Sequence, residues 1–198
     1  MSEPPERLVV LSPFRRLIYL MACISLLWFG WALLKPATPL PSLQVDGSYQ
    51  REGYRITPLQ PFSLSARVLA REDYRFDAGA RLAPTDLVLG WGPMADPQVL
   101  AGIKVTQGNR WYHWQVDEFP IPRREIETHS ANMHMIPAGP AVAQTLASLQ
   151  PGERIALSGQ LVRVDGADGF RWVSSLTRED TGAGACELIL VEQLRRLD

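Results

Sequence analysis

Two histidines, a serine and an asparagine fall within six positions at the start of HSANMHMIPAG, residues 129–139. With His113 they put three imidazoles within 22 positions, and a zinc site needs three or four ligands of this kind converging tetrahedrally. The spacing of five between His129 and His134 is not the i,i+4 pairing of a helical H-E-x-x-H site. Nucleophilic chemistry would need Ser130, Ser174, Ser175 or Cys186 beside a base and oxyanion donors, and the chain has no G-x-S-x-G elbow. The residue types therefore favour a structured connection between a helical turn in PRREIETHS and a helix starting near Pro140. In that connection Ser130 and Asn132 satisfy backbone groups, the histidines join a polar network, and Met133, Met135 and Ile136 plug one end of the core. No catalytic residue, metal or cofactor is expected.

A second polar stretch, TREDTGAGA at 177–185, reads as a turn in which Arg178 pairs with Glu179 or Asp180. The sharper reading is a ligand-facing loop whose backbone amides at Gly182 and Gly184 meet an anion or a carbonyl. Arg123 and Arg124 add a small basic patch. In RWYHWQV, Trp111 and His113 face one way and Tyr112, Trp114 and Val116 the other, so one aromatic face is either buried or left for a partner. The candidate binding surface is thus Trp111, His113, Arg123, Arg124, His129, Asn132, His134, Arg178 and Asp180.

The elements that must position these residues begin near residue 43. YRITPL and FSLSARVLA read as strands, the second with Phe62, Leu64, Ala66 and Val68 alternating with polar residues. APTDLVLGWG reads as one or two helical turns, with Thr85 or Asp86 as cap and glycines as stop. VLAGIKVTQ and RWYHWQV form a hairpin about Gly108-Asn109. PAVAQTLASL, with Pro140 in its first turn, is the best helix of the domain. RIALSGQLVRVD, FRWVSSL and CELILVEQL are three further strands. The fold class is mainly β (α+β), an antiparallel OB-like barrel or sandwich with one or two short helices. GERIALSGQLVRVDGADG resembles a strand of an oligonucleotide/oligosaccharide-binding (OB) barrel, with Gly152 at the turn and Gly159 permitting a strongly coiled strand.

Residues 17–34, LIYLMACISLLWFGWALL, contain no charge and are long enough to cross most of a bilayer as a helix. Arg15 and Arg16 before the run, against Lys35 after it, place the N-terminus in the cytoplasm. KPATPLPSLQ offers no A-x-A-like cleavage site, so the run is expected to be an uncleaved signal anchor. The organisation that follows is a cytosolic tail (1–16), a transmembrane anchor (17–34), a Pro-rich linker (35–42) and a β-rich domain on the far side (43–198).

Residues 36–198 carry 16 basic and 19 acidic side chains, because Arg7, Arg15, Arg16, Lys35, Glu3 and Glu6 lie before them. A domain of net charge −3 is a poor match for nucleic-acid phosphates unless Arg67, Arg71, Arg75 and Arg110 form one stripe. Two cysteines, one of them inside the apolar run, exclude a disulfide framework. Cys186 is expected as a small buried residue.

The segments SARVLAREDYR, PIPRREIETHSANMHMIP and SSLTREDTGAGACEL are similar to those of a group of membrane-anchored bacterial proteins without an assigned activity. The resemblance implies a bacterial envelope protein and carries over no catalytic residue. Together these readings favour a single-pass inner-membrane protein whose periplasmic β-rich domain binds an envelope protein or glycan. A membrane-tethered hydrolase using His129 and His134, with or without metal, and an OB-like nucleic-acid module are the alternatives.

Overall fold

The computed structural model describes residues 14, 17–25, 40–44, 46–178, 180, 182 and 184–198. They belong to two compact units, Met1–Ala37 and Thr38–Asp198. In the first, residues 17–25 are helical. Residues 26–34 of the expected membrane run, the tail apart from Phe14, and residues 35–39 of the linker lie outside the described residues. Among the described residues, no helix is long and apolar enough to cross a membrane.

The second unit is mainly β. In chain order its strands are β1 (Ser42–Leu43), β2 (Tyr49–Arg51), β3 (Tyr54–Asp73), β4 (Thr85–Gly90), β5 (Lys104–Gly108), β6 (Trp111–Gln115), β7 (Ser130–Pro137), β8 (Arg154–Gly166), β9 (Arg171–Val173) and β10 (Glu187–Leu197). A 3₁₀ turn (Gly92–Ala95) and the helices α1 (Pro97–Leu100), α2 (Arg123–Thr128) and α3 (Pro140–Ser148) lie between them.

The two runs read as separate strands are one, the 20-residue β3, which continues through Pro58 and Pro61. Its length lets it serve three neighbours, with β2 against Tyr54–Ile56. Tyr54–Arg67 pairs with β8, and Arg67–Asp73 pairs with β4. Register shifts at Pro58/Gln60 and Val68/Ala70 mark bulges, which sharpen the twist of a strand. The pairings β3–β4–β7–β10–β8 then return to β3 and form a closed ring of five strands. All are antiparallel except β7–β10.

Closure needs strands that come close together. At Gly159 a Cβ would collide with the carbonyl oxygen of Leu190 on β10, next to the bulge at Val191/Gln193. The inward residues form the main core, among them Phe62, Leu87, Leu89, Met133, Met135, Leu157 and Ile189, and Leu146 and Leu149 from the end of α3 join it. Ile136, Val162, Val164, Leu188 and Leu190 point the other way, into a second core shared with Leu82, Phe170 and Trp172. Strands buried on both faces read as unbroken apolar runs.

That double burial explains two corrections. Thr85–Gly90 is not helical; all six of its residues are buried in β4, between β3 and β7. A short apolar run has no period that separates helix from strand, and here the pairing decides. HSANMHMIP is likewise no connecting loop: Ser130–Pro137 is β7, and its methionines line the core along a strand rather than plugging an end. The hairpin β5–β6 forms as expected, but its two-residue loop is Asn109-Arg110, at φ 53° and 67°, one position beyond the Gly108-Asn109 expected. The last run begins its strand at Glu187 rather than Cys186, and FRWVSSL is strand only to Val173.

Gly159→Ala is expected to cost about 3 kcal/mol or more, since the clash is with backbone on a ring that cannot open. Gly108→Ala, where a Cβ meets nothing within 4 Å, should stay within about 0.5 kcal/mol. Urea unfolding of the two variants checks the difference.

Candidate functional site

The side chains of β4 and β7 alternate about the ring, so Leu87, Leu89, Met133 and Met135 point inward while Asp86, Asn132 and His134 project from the other face. That outer face is polar and nevertheless buried. Asp86 is fully buried and accepts from Arg110 Nη1 at 2.7 Å, from Asn132 Nδ2 at 3.2 Å and from His134 Nδ1 at 2.8 Å. The carboxylate fixes the His134 tautomer with its proton on Nδ1. Arg110 also binds Asp77 at 2.9 Å and stacks over the Tyr74 ring, 3.8 Å from its centroid. Trp172 covers His134, with ring centroids 4.6 Å apart. Because Arg110 sits in the turn of the β5–β6 hairpin, this network holds the hairpin against the β4–β7 face. Tyr112 adds a second anchor, donating from its hydroxyl to Ser130 O at 3.0 Å.

Held there, the hairpin walls a cleft of about 1080 Å³ whose other side is the loop between β9 and β10. Its aromatic lining is Trp91, Trp111, Tyr112, Trp114 and Phe119. Its polar lining includes His113, Gln115, Asn132, Arg178, Asp180 and Glu187. A smaller cavity of about 480 Å³ lies nearby, lined by Arg110, His134, Trp172 and Gly184, with Trp111 and Cys186 common to both.

The inner end of the cleft is electrostatically unusual. Glu187 opens β10 almost fully buried, and burial pushes its carboxyl up to about 7 against the pull of Arg178. Its Oε2 has no hydrogen-bond partner, nor has Nη1 of Arg178. Arg178 is held by aromatic faces, with Cζ 4.7 Å from the Phe62 ring centroid and 4.6 Å from that of Trp91. Burial lowers its proton affinity. Cys186 is pushed up to about 11 by burial, with the Glu187 charge next. At neutral pH it is a thiol, and a thiol is a poor nucleophile.

Of the nine nominated residues, Trp111, His113, Arg123, Asn132, Arg178 and Asp180 line the cleft. His134 lies behind it in the Asp86 network. His129 is turned into α2, its Nδ1 3.0 Å from Glu125, with the ring packed against Gly92. The five-position step from it to His134 spans roughly 16 Å in extended backbone, so the two do not share a site. His113 is exposed on β6. Among the described residues, no group of three or more His, Cys, Asp or Glu is placed to hold a metal ion. Arg124 is exposed on α2, and Arg123 pairs with Glu127 at 2.7 Å rather than forming an open basic patch.

The expected turn pairing of Arg178 does not form with Asp180. Asp180 instead accepts from Ser175 Oγ at 2.7 Å, and Glu179 lies outside the described residues. Ser174 and Ser175 are buried loop residues rather than the end of a strand, and Ser174 Oγ accepts from the amide of Leu188 at 3.0 Å. Three of the four arginines of the possible basic stripe are spent internally, while Arg75 is exposed. Arg67 caps the carbonyls of Ala95 and Gly152, Arg71 binds Leu146 O and Asp73, and Arg110 is in the Asp86 network.

Sequence reasoning missed Asp86, Arg110, Tyr112 as an anchor, Trp172 and Glu187. The available signal was a carboxylate opening an apolar run, DLVLG and ELILV. A charge placed there is buried as soon as the run becomes a central strand. No protein-family model and no curated protein matches the chain, so function rests on the site itself.

Two outcomes are expected. Asp86→Ala, which removes the carboxylate shared by Arg110, Asn132 and His134, should cost about 3–5 kcal/mol in chemical unfolding, whereas Asp77→Ala, at a partly exposed pair, should cost less than about 1 kcal/mol. For Glu187, the folded carboxyl titrates near 7 and an ordinary one near 4.5, so between those values the folded state holds the extra proton. Stability therefore falls as pH rises from about 4.5 to about 7 and stays lower above. Glu187→Gln should remove that slope, matching wild type at pH 4 and exceeding it by roughly 2–3 kcal/mol at pH 8 in urea midpoints.

Proposed function

We propose that this chain is a non-enzymatic envelope protein of the bacterial inner membrane whose periplasmic OB-type domain binds a glycan in the cleft between the β5–β6 hairpin and the β9–β10 loop. The membrane part rests on the uncharged run 17–34 and its flanking arginines. The helical residues Leu17, Ile18, Leu20, Met21 and Ile24 are each more than half exposed, as suits a segment whose solvent is lipid. The N-terminus is then cytoplasmic and the β-rich domain periplasmic.

The OB reading is supported by strand order. Counting β3, β4, β7, β8 and β10 as first to fifth, the ring runs first, second, third, fifth, fourth and back to first, with α3 between third and fourth. A five-stranded Greek-key barrel of this kind serves oligonucleotides and oligosaccharides. Charge separates the two. The domain is net negative, Arg67, Arg71 and Arg110 are engaged internally, and in the cleft lining the carboxylates Asp117, Glu127, Asp180 and Glu187 outnumber Lys104, Arg123 and Arg178, a balance that disfavours a polyphosphate.

The observation that carries the glycan reading is the cleft wall itself. Tryptophan faces present apolar, electron-rich surface to the C–H face of a pyranose, while Gln115, Asn132 and Asp180 offer directional groups to its hydroxyls. A protein partner is the second reading, favoured by the exposed Phe76, Phe119, Val173 and Leu176.

Titration of the full-length protein in detergent with β-1,4-linked tetrasaccharides, followed by tryptophan fluorescence and calorimetry, tests the reading. Binding is expected, and Trp111→Ala, at an exposed site, should weaken it about tenfold, the equivalent of about 1.4 kcal/mol. Absence of binding to any tetrasaccharide at millimolar concentration overturns it, and salt-sensitive binding to single-stranded DNA would favour the nucleic-acid alternative.

A further inference from the structure

Among the described residues, four buried side-chain polar atoms lack a hydrogen-bond partner, and two of them, Glu187 Oε2 and Arg178 Nη1, belong to residues that line the same cleft. Burying such atoms unpaired costs about 1–3 kcal/mol each, and native proteins keep few of them. Their concentration in one cleft is the signature of a built subsite.

Both charged groups are fixed in advance. Glu187 is the first residue of β10, paired in register with Met133, and Arg178 is gripped by Phe62 and Trp91. They line the same cleft without meeting as an ion pair. What fills the interval must offer an acceptor to the guanidinium and a donor to the carboxylate. A phosphate or carboxylate satisfies Arg178 but is repelled by Glu187 and Asp180. An amine satisfies Glu187 and is repelled by Arg178. A secondary amide carries both functions on one rigid, neutral plane, its C=O and N–H directed to opposite sides. Ala131, Ala185 and Trp91 in the same lining give a methyl group apolar surface.

We propose that the inner end of the cleft is a subsite for the acetamido group of an N-acetylated amino sugar, its carbonyl accepting from Arg178 Nη1 and its N–H donating to Glu187 Oε2. This rests on the glycan reading above and gives that reading its sugar class.

The test compares the β-1,4-linked tetramers of N-acetylglucosamine, glucosamine and glucose on the full-length protein by calorimetry. The acetylated tetramer is expected to bind at least tenfold more tightly than the other two. Glu187→Met and Arg178→Met should each reduce that preference below about threefold. Equal binding of the acetylated and glucose tetramers overturns the acetamido subsite and leaves the glycan cleft standing. Tightest binding of glucosamine overturns it in favour of an amine site. Failure of all three removes the glycan reading and the subsite together. Saturation-transfer NMR on the unmodified protein decides the matter independently of how the variants fold: the acetyl methyl protons should receive the strongest saturation, and a maximum on the ring protons overturns the proposal.

Discussion

A single buried carboxylate holds in place the hairpin that walls the cleft of this domain. Asp86 has no exposed surface and takes donors from the hairpin turn, through Arg110, and from β7, through Asn132 and His134. Desolvating a carboxylate is expensive, and attraction offsets that cost only where the geometry satisfies its lone pairs. Three donors do so here, which makes the position of the hairpin a condition for burying the charge. The strain of a non-glycine residue at φ 67° is tolerated at Arg110 because the surrounding network fixes it.

The consequence is a displacement of the functional surface. On the proposed OB reading, the outer face of the second and third strands is where such barrels meet their ligands. In this chain that face is covered by its own hairpin, and the β4–β7 surface has become interior. Met94, Ile103 and Ile126 form a small separate core under the insertion, packed with Trp114 and Val105. The hairpin thus has its own apolar anchor as well as its ionic one. The surface left for a ligand is the one between the hairpin and the β9–β10 loop, where the aromatic side chains of the insertion line the cleft.

Among the described residues, the two buried carboxylates, Asp86 and Glu187, meet opposite fates. Asp86 is matched by donors on every side and acts as structure. Glu187 keeps one oxygen unmatched, lines the cleft and titrates near neutrality. The contrast follows from position: Asp86 lies mid-sheet on β4, within reach of Asn132 and His134 on β7 and of Arg110 in the hairpin turn, whereas Glu187 is the first residue of its strand, and the charges that act on it come from the loop residues Arg178 and Asp180. A group left unsatisfied by its own fold is available to something that arrives later.

Much of the fold was legible. Alternation marked β3 and β8, proline marked the start of α3, and the two halves of the hairpin stood out around their turn. The parity of Trp111 and His113 against Tyr112 and Trp114 was readable for the same reason, since alternation is a local property of one strand. HSANMHMIP and DLVLG were misread because a strand buried on both faces shows neither a helical nor an alternating period, and only its neighbours decide what it is. The charge pairings were beyond reach: Asp86, Arg110 and His134 are separated by 24 and 48 positions, and nothing local relates them. By itself the sequence determined the anchor-like apolar run, the β-rich character and the residue types that line a polar aromatic cleft. Only the tertiary structure decided which polar groups would neutralise one another and which would be left facing the cleft, because that depends on ring closure bringing distant strands into register.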